Sequence, residues 1–252
     1  CYSVALPADR QGEVFHRYIL GVYDLYDRLT TAFPQILFES CASGGGRFDP
    51  GMLYYAPQGW ISDDTDAAER VRIQYGTSMC YPISSMGSHV SVVPNHQLNR
   101  ITSLHTRANV AYFGTFGYEL DLNKLTDEEI AEVKAQIIFM KEYRELIQFG
   151  NFYRLKSPFD GNETVWMTVS EDKRKALVFW YRERNVVNAE FTRVRLQGLD
   201  PDLIYKNEYN GTENYGDELM NLGLLTTDVT AGEPTNEDLP CTDYESRIYV
   251  LT

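Results

Sequence analysis

The sequence predicts an α/β region over residues 1–149 followed by an antiparallel β-sandwich over residues 151–252. Two observations carry this. Before Gly150, short apolar runs alternate with helical stripes, as in a parallel α/β array. After it, apolar residues recur with a period of two between turns rich in Gly, Asn and Asp. At 252 residues the chain has room for one large domain or two small ones.

The elements follow in order. Val14, Tyr18, Val22, Leu25 and Leu29 form a helical stripe, ended by Thr30–Pro34. Ile36-Leu37-Phe38 predicts a short buried strand running into Glu39-Ser40-Cys41, with the loop Ser43-Gly44-Gly45-Gly46-Arg47 behind it. Trp60-Ile61-Ser62 is a second predicted strand, opening into Asp63-Asp64-Thr65-Asp66. Asp66 is placed to cap a helix reaching Tyr75, because an N-cap carboxylate accepts from free backbone N–H groups. Cys80–Met86 and Val110–Phe116 are two more predicted strands. Thr126-Asp127-Glu128-Glu129 has capping-box spacing. It starts a helix with Ile130, Val133, Ile137, Met140, Tyr143 and Ile147 on one face. Beyond Gly150 the predicted strands are Thr164–Val169, Ala176–Tyr181, Phe191–Leu196 and Ile248–Leu251. Asp160-Gly161-Asn162, Glu171-Asp172-Lys173 and Asn210-Gly211 supply turns. Thr226–Asp243 is polar and acidic and reads as a surface loop. A closed eight-stranded TIM barrel usually needs about 250 residues, so the roughly four strands before Gly150 amount to half of one. With the abrupt start, that points to a piece of a longer chain.

Composition removes several function classes. Hydrophobic and charged shares of 43% and 23% are globular, not disordered or fibrous. Asp plus Glu outnumber Lys plus Arg 36 to 23, a net charge of −13 with no basic run, which argues against nucleic acid and anionic membranes as partners. No run approaches the length of a membrane-spanning helix, and Cys1–Gly12 lacks the basic and apolar regions of a secretory signal. Cys1, Cys41, Cys80 and Cys241 are scattered, which fits a reducing, cytoplasmic compartment rather than a disulfide framework. His16, His89, His96 and His105 have no zinc-site spacing. Tyr, Phe and Trp reach 13%, compatible with a carbohydrate-facing cleft or with a Tyr-rich core.

Chemistry concentrates at two places. Asp63, Asp64 and Asp66 follow a strand that begins with Trp60. Carboxylates this close repel one another, and with an apolar wall this favours a protonated member, as a glycosidase general acid requires. Acidic residues also gather at helix starts through the dipole alone, which is the better reading of Asp66; for Asp63 both readings stand. The second place is Gly44-Gly45-Gly46 after Cys41. It lacks a P-loop ending, and serves either close backbone approach to a ligand or a flexible turn. Cys41 has no His placed to activate it, so a thiol touching ligand or core is preferred over a nucleophile. His89 and His96 flank Pro94-Asn95 and read as loop packing.

Four segments then resemble one family. Phe38-Glu39-Ser40-Cys41-Ala42-Ser43-Gly44-Gly45-Gly46-Arg47-Phe48-Asp49 is similar to the ESC-x-GGGRFD segment of glycoside hydrolase family 36, the microbial α-galactosidase family related to raffinose synthases. Trp60–Ala67 resembles its W-x-SD-D/N-TDA segment. Met86–Ser91 with Pro94–Gln97, and Phe116–Asp121, resemble a third and a fourth, all in the family's order and covering residues 1 to about 225. The resemblance implies the C-terminal half of the catalytic barrel plus the C-terminal β-domain. It implies a retaining α-galactosidase acting on terminal α-1,6-galactose of melibiose- or raffinose-type oligosaccharides, with no metal or organic cofactor. It assigns the acid/base role to Asp63, with Asp64 the fallback, and substrate contact to Cys41, Gly44, Trp60 and Asp64. The family's nucleophile segment, K-W-D-M-N-R-like, is not found among the 252 residues, so this stretch alone is expected to be inactive. A homo-oligomer, tetrameric as in intact family members, is the implied assembly. Two alternatives stay open: a raffinose- or stachyose-synthase-like transglycosylase, and a non-catalytic carbohydrate-binding fragment.

Overall fold

The structure is a computed structural model that describes residues 2–186, 191–226 and 243–252. The chain divides into two compact units, Cys1–Asp63 and Asp64–Thr252.

In the first unit, helix α1 spans Val14–Ala32, on the stripe the sequence predicts, yet none of its residues is buried. Among its contacts are ring pairs: Tyr23 lies 5.9 Å from Tyr55, and Tyr26 meets Phe38 edge-on at 6.1 Å. Strand β1 is only Glu39–Ser40. The predicted buried strand Ile36–Phe38 does not form, and Ile36 and Leu37 are 49% and 88% exposed. The reason is local: the Ile36 N–H donates to the Phe33 carbonyl, closing a turn at the end of α1. Helix α2, Pro50–Tyr55, is capped by Asp49, which accepts from the Met52 N–H at 3.0 Å and from the Tyr23 hydroxyl at 3.0 Å. Strand β2, Gln58–Trp60, runs parallel to β1, with Ser40 opposite Gly59.

The second unit opens with helix α3, Ala67–Thr77, capped by Asp66 as expected. The predicted strand at Cys80–Met86 gives way to turns, because the Cys80 and Tyr81 N–H groups donate back to Thr77. Pro82 leads into a 3-10 turn at Ile83–Ser85, and strand β3 begins only at Met86, ending at Ser91. The strand predicted over Val110–Phe116 is likewise displaced. Val110 and Ala111 complete helix α4, Leu104–Ala111, whose N-cap Ser103 accepts from Thr106 N–H. Strand β4 is Thr115–Glu119, parallel to β3. Buried packing of Val110 overrides its β propensity. Gln74 of α3 donates to the Val110 and Phe113 carbonyls at 3.0 and 3.2 Å and accepts from the Ser88 hydroxyl at 2.8 Å. Helix α5, Asp127–Phe149, begins with both hydrogen bonds of the Thr126–Glu129 capping box. It buries Val133, Gln136, Met140 and Ile147, with Gln136 taking the place expected for Ile137.

A four-stranded antiparallel sheet follows. Its strands are β5 (Asn151–Lys156), β6 (Glu163–Val169), β7 (Ala176–Arg182) and, later in the chain, a last strand at Glu245–Leu251. Between them lie β8 (Arg193–Val194), β9 (Ile204–Lys206), β10 (Glu213–Tyr215), helix α6 (Gly216–Asn221) and β11 (Leu224–Leu225). With the last strand as β12, the sheet order is β12-β7-β6-β5, beside the antiparallel pairs β10-β9 and β11-β8. The strand expected over Phe191–Leu196 is reduced to β8. Of the acidic loop expected at Thr226–Asp243, residues 227–242 lie outside the described residues.

Strands β6 and β7 differ from the expected half-exposed alternation: only Glu163 on either strand escapes full burial. Both faces are covered. On one, Val165, Met167, Val178, Trp180 and Tyr249 join a core with Val194, Leu196, Leu199, Tyr205, Leu219 and Leu224. On the other, Trp166 stacks on Phe179 at 4.5 Å, and Phe113 from the end of α4 lies 5.8 and 5.7 Å from those two rings. Asn109 of α4 donates to the Ser246 hydroxyl at 3.0 Å, and Thr106 to the Tyr244 carbonyl at 2.9 Å. The α/β elements after Asp63 therefore share one compact unit with the antiparallel sheet.

Candidate active site

Parallel pairing points β1 and β2 the same way, so Cys41, directly after β1, and Trp60, the last residue of β2, stand at their C-terminal ends. In α/β sheets this is the edge where chemistry is placed. Cys41 is exposed. Trp60 is 8% exposed and Asp63, three residues further on, is exposed. The glycine loop is pressed onto this segment. Gly44 has φ +57°, and a Cβ there would stand 2.8 Å from the Ser62 Cα and closer still to the Asp63 nitrogen. A Cβ on Gly45, at φ +78°, would stand 2.6 Å from the Ile61 carbonyl oxygen. Both residues sit in the left-handed region and touch backbone, which no other residue type tolerates well. The loop is a close-packed brace behind Ile61–Asp63, not a slack turn. Arg47 ends it, donating to the Tyr18 hydroxyl at 2.8 Å and to the Cys41 carbonyl at 3.3 Å.

Within the second unit, the three remaining residues of the acidic segment are held by hydrogen bonds. Asp64 is half-buried and its Oδ1 accepts from the Asp66 N–H at 3.0 Å. The Thr65 hydroxyl accepts from Asn95 Nδ2 at 3.2 Å. Asp66 is buried; its Oδ1 accepts from the Ala68 and Glu69 N–H groups and pairs with Arg100. The helix-start reading of Asp66 is thus the structural one. Burial alone would depress the Arg100 guanidinium; the charge and hydrogen bond of Asp66, helped by Tyr244 and Glu69, turn the net shift upward.

Asn95 and Arg100 were not singled out by sequence reasoning as site residues. The signal available was the Pro94-Asn95-His96-Gln97 segment, whose Asn95 side chain also accepts from the Gln97 and Leu98 N–H groups at 2.9 and 3.0 Å. His96 is exposed. His89 lies on β3 opposite Gly117 of β4, with Nδ1 3.5 Å from a Glu119 carboxylate oxygen. A Cβ on Gly117 would stand 2.9 Å from the His89 ring, so the third and fourth sequence segments meet there.

These residues lie in the segments that resemble glycoside hydrolase family 36. The Melibiase family model matches residues 1–150, and the glycosyl hydrolase family 36 C-terminal domain model matches residues 163–251. The chain belongs to glycoside hydrolase family 36. It is 57% identical over 222 residues to α-galactosidase AgaA of Geobacillus stearothermophilus, covering 88% of this chain and 30% of that protein. It is 52% identical over 223 residues to α-galactosidase Mel36A of Lactobacillus acidophilus, again 88% of this chain and 30% of that protein. Among solved structures, a doubly substituted variant of AgaA in complex with raffinose superposes with a TM-score of 0.90 at 51% identity, covering 99% of this chain and 33% of that one. The 252 residues thus span about a third of the length of the proteins they match. Among the described residues, no helix is long and apolar enough to cross a membrane.

Proposed function

We propose that these residues form the acid/base side of a retaining α-galactosidase active site, within the second half of a (β/α)8 barrel over residues 1–149. Residues 151–252 are its C-terminal β-sandwich domain. The observation that carries the reading is the exposed Asp63 beyond the C-terminal end of β2, three residues after buried Trp60 and braced by Gly44. The substrate class follows from relatives named α-galactosidases and from the raffinose complex of one of them. A terminal α-1,6-galactosyl group of a melibiose- or raffinose-type sugar is the fitting substrate.

In the first step, a carboxylate outside these 252 residues attacks the anomeric carbon. The Asp63 carboxylic acid gives its proton to the departing glycosidic oxygen as that bond breaks. In the second, the Asp63 carboxylate takes a proton from water, the water oxygen bonds to the anomeric carbon, and the enzyme carboxylate leaves. Two displacements retain the α configuration. Cys41 and the Gly44 backbone line the galactose, Trp60 walls the acid, and Asp64 grips a hydroxyl. The 252 residues alone are inactive; the complete enzyme is a cytoplasmic homo-oligomer.

The test is Asp63→Ala in the enzyme that contains these residues. Turnover of raffinose should fall by about 10²–10⁴-fold, while the first step on an activated aryl α-galactoside survives. Azide should restore the second step and give the α-galactosyl azide. Rescue in Asp64→Ala instead would reverse the assignment, and rescue in neither would leave this segment as a helix start only.

A further inference from the structure

Asp66 is buried, and its interactions run to helix α3 and Arg100. Its carboxylate takes two backbone N–H groups of α3 and the Arg100 guanidinium, with only 1% of the Asp66 side chain exposed. Arg100 also reaches Glu69 at 3.3 Å and lies with its Cζ 5.0 Å from the centre of the Tyr244 ring. The turn that carries Arg100 is closed on itself. Asn95 N–H donates to the Arg100 carbonyl at 2.9 Å, and Asn99 N–H donates to the Asn95 carbonyl at 2.8 Å with Asn99 at φ +55°. The same turn holds Thr65 through Asn95. Two consecutive residues of the acidic segment, Thr65 and Asp66, are therefore held by one hydrogen-bonded turn. The Asp66 N–H in turn holds the Asp64 carboxylate.

We propose that Arg100 is a positioning residue for the acid segment, acting through Asp66 on Asp64, the residue that follows Asp63 in sequence. This rests on the acid/base reading given above. One guanidinium nitrogen, Nη1, meets both Asp66 and Glu69, while the delocalised charge lies over the Tyr244 ring, a contact that the compact ammonium of lysine reproduces less well. Small misplacements of a catalytic group are costly: an error of about 1 Å can cost about 10²-fold in rate.

The experiment compares Arg100→Met, Arg100→Lys, Asp63→Ala and wild type in the full-length enzyme, reading kcat/KM on raffinose and on an activated aryl α-galactoside together with the thermal midpoint. Protonation matters for raffinose and little for the aryl substrate. Arg100→Met should lower kcat/KM on raffinose about 10-fold more than on the aryl substrate, with Arg100→Lys in between. A purely structural role would lower both substrates equally in step with folded protein. Lys156→Met, which breaks the Lys156–Glu163 ion pair of the antiparallel sheet, should do just that, lowering the midpoint and leaving the substrate ratio unchanged. If Arg100→Met fails to fold, the ratio is read on Arg100→Lys. A ratio equal to wild type in the Arg100 variants, with the leaving-group dependence of Asp63→Ala intact, overturns this proposal alone. Absence of that dependence in Asp63→Ala overturns the acid/base reading and this proposal with it.

Discussion

Helix α1 and the β6–β7 hairpin are both strongly patterned in sequence, and they end in opposite environments. No residue of α1 is buried, and Phe15, Tyr18, Leu20 and Leu25 are all more than half exposed. In β6 and β7, Val165, Met167, Ala176, Leu177, Val178 and Phe179 are completely enclosed. The stripe on α1 states which face seeks burial, but only neighbours deliver it, and within its own unit α1 meets the rings of Tyr55 and Phe38 and the polar side chains of Asp49 and Arg47. The hairpin receives a layer on each face. The difference teaches that apolar pattern reports demand, whereas burial reports supply.

The largest expected effect lies in the hairpin. Trp166→Ala removes a ring that stacks on Phe179 and meets Phe113, and should cost about 3–5 kcal/mol in denaturant unfolding. A loss comparable to that of an exposed α1 residue, below about 0.5 kcal/mol, would erase the contrast.

Gly44→Ala tests the first unit where it is tight. Left-handed strain alone is worth about 1–2 kcal/mol, and the new methyl also meets the Ser62–Asp63 backbone. Amide exchange across 39–63 should rise at least tenfold, since about 1.4 kcal/mol corresponds to a factor of ten. Amides of β6 and β7 should keep their protection. Unchanged exchange at 39–63 would mean the brace is not needed to hold the acid segment.

The smallest effect belongs to α1. Arg10 and Arg17 hydrogen-bond the Glu13 carboxylate at 2.7 and 2.8 Å, lowering it from 4.5 to about 2. A depressed carboxylate stabilises the fold above its unfolded value and loses that contribution as pH falls through the folded one. The start of α1 should therefore loosen as pH drops from about 4.5 to about 2, and Glu13→Gln should abolish that dependence. An NMR titration placing Glu13 near 4.5 would show that these pairs do not persist in water. The remainder of the chain should be unaffected by the substitution, because both partners of the carboxylate, Arg10 and Arg17, lie within four residues of it.

Legibility followed the range of the interactions. The starts of α3 and α5 were readable because Asp66 and Thr126 cap through hydrogen bonds two or three residues away. Strand starts were not: Cys80–Tyr81 and Val110–Ala111 carry β-forming or apolar side chains, but their backbone N–H groups or buried faces were claimed by adjacent helices. The candidate site shows the same division. Asp63, Cys41, Gly44 and Trp60 were readable as a motif, while Arg100 was not, standing 34 residues from its partner Asp66.

By itself the sequence determined the membership in family 36, the helix caps and the change of period near Gly150. Each of these is encoded in contiguous stretches, where spacing alone sets which groups can meet. Only the tertiary structure decided that β6 and β7 are covered on both faces, that the compact division falls between Asp63 and Asp64, and that Asp66 answers to Arg100. These depend on surfaces brought together from distant parts of the chain, where the free energy of burial and ion pairing is collected only after the chain has folded.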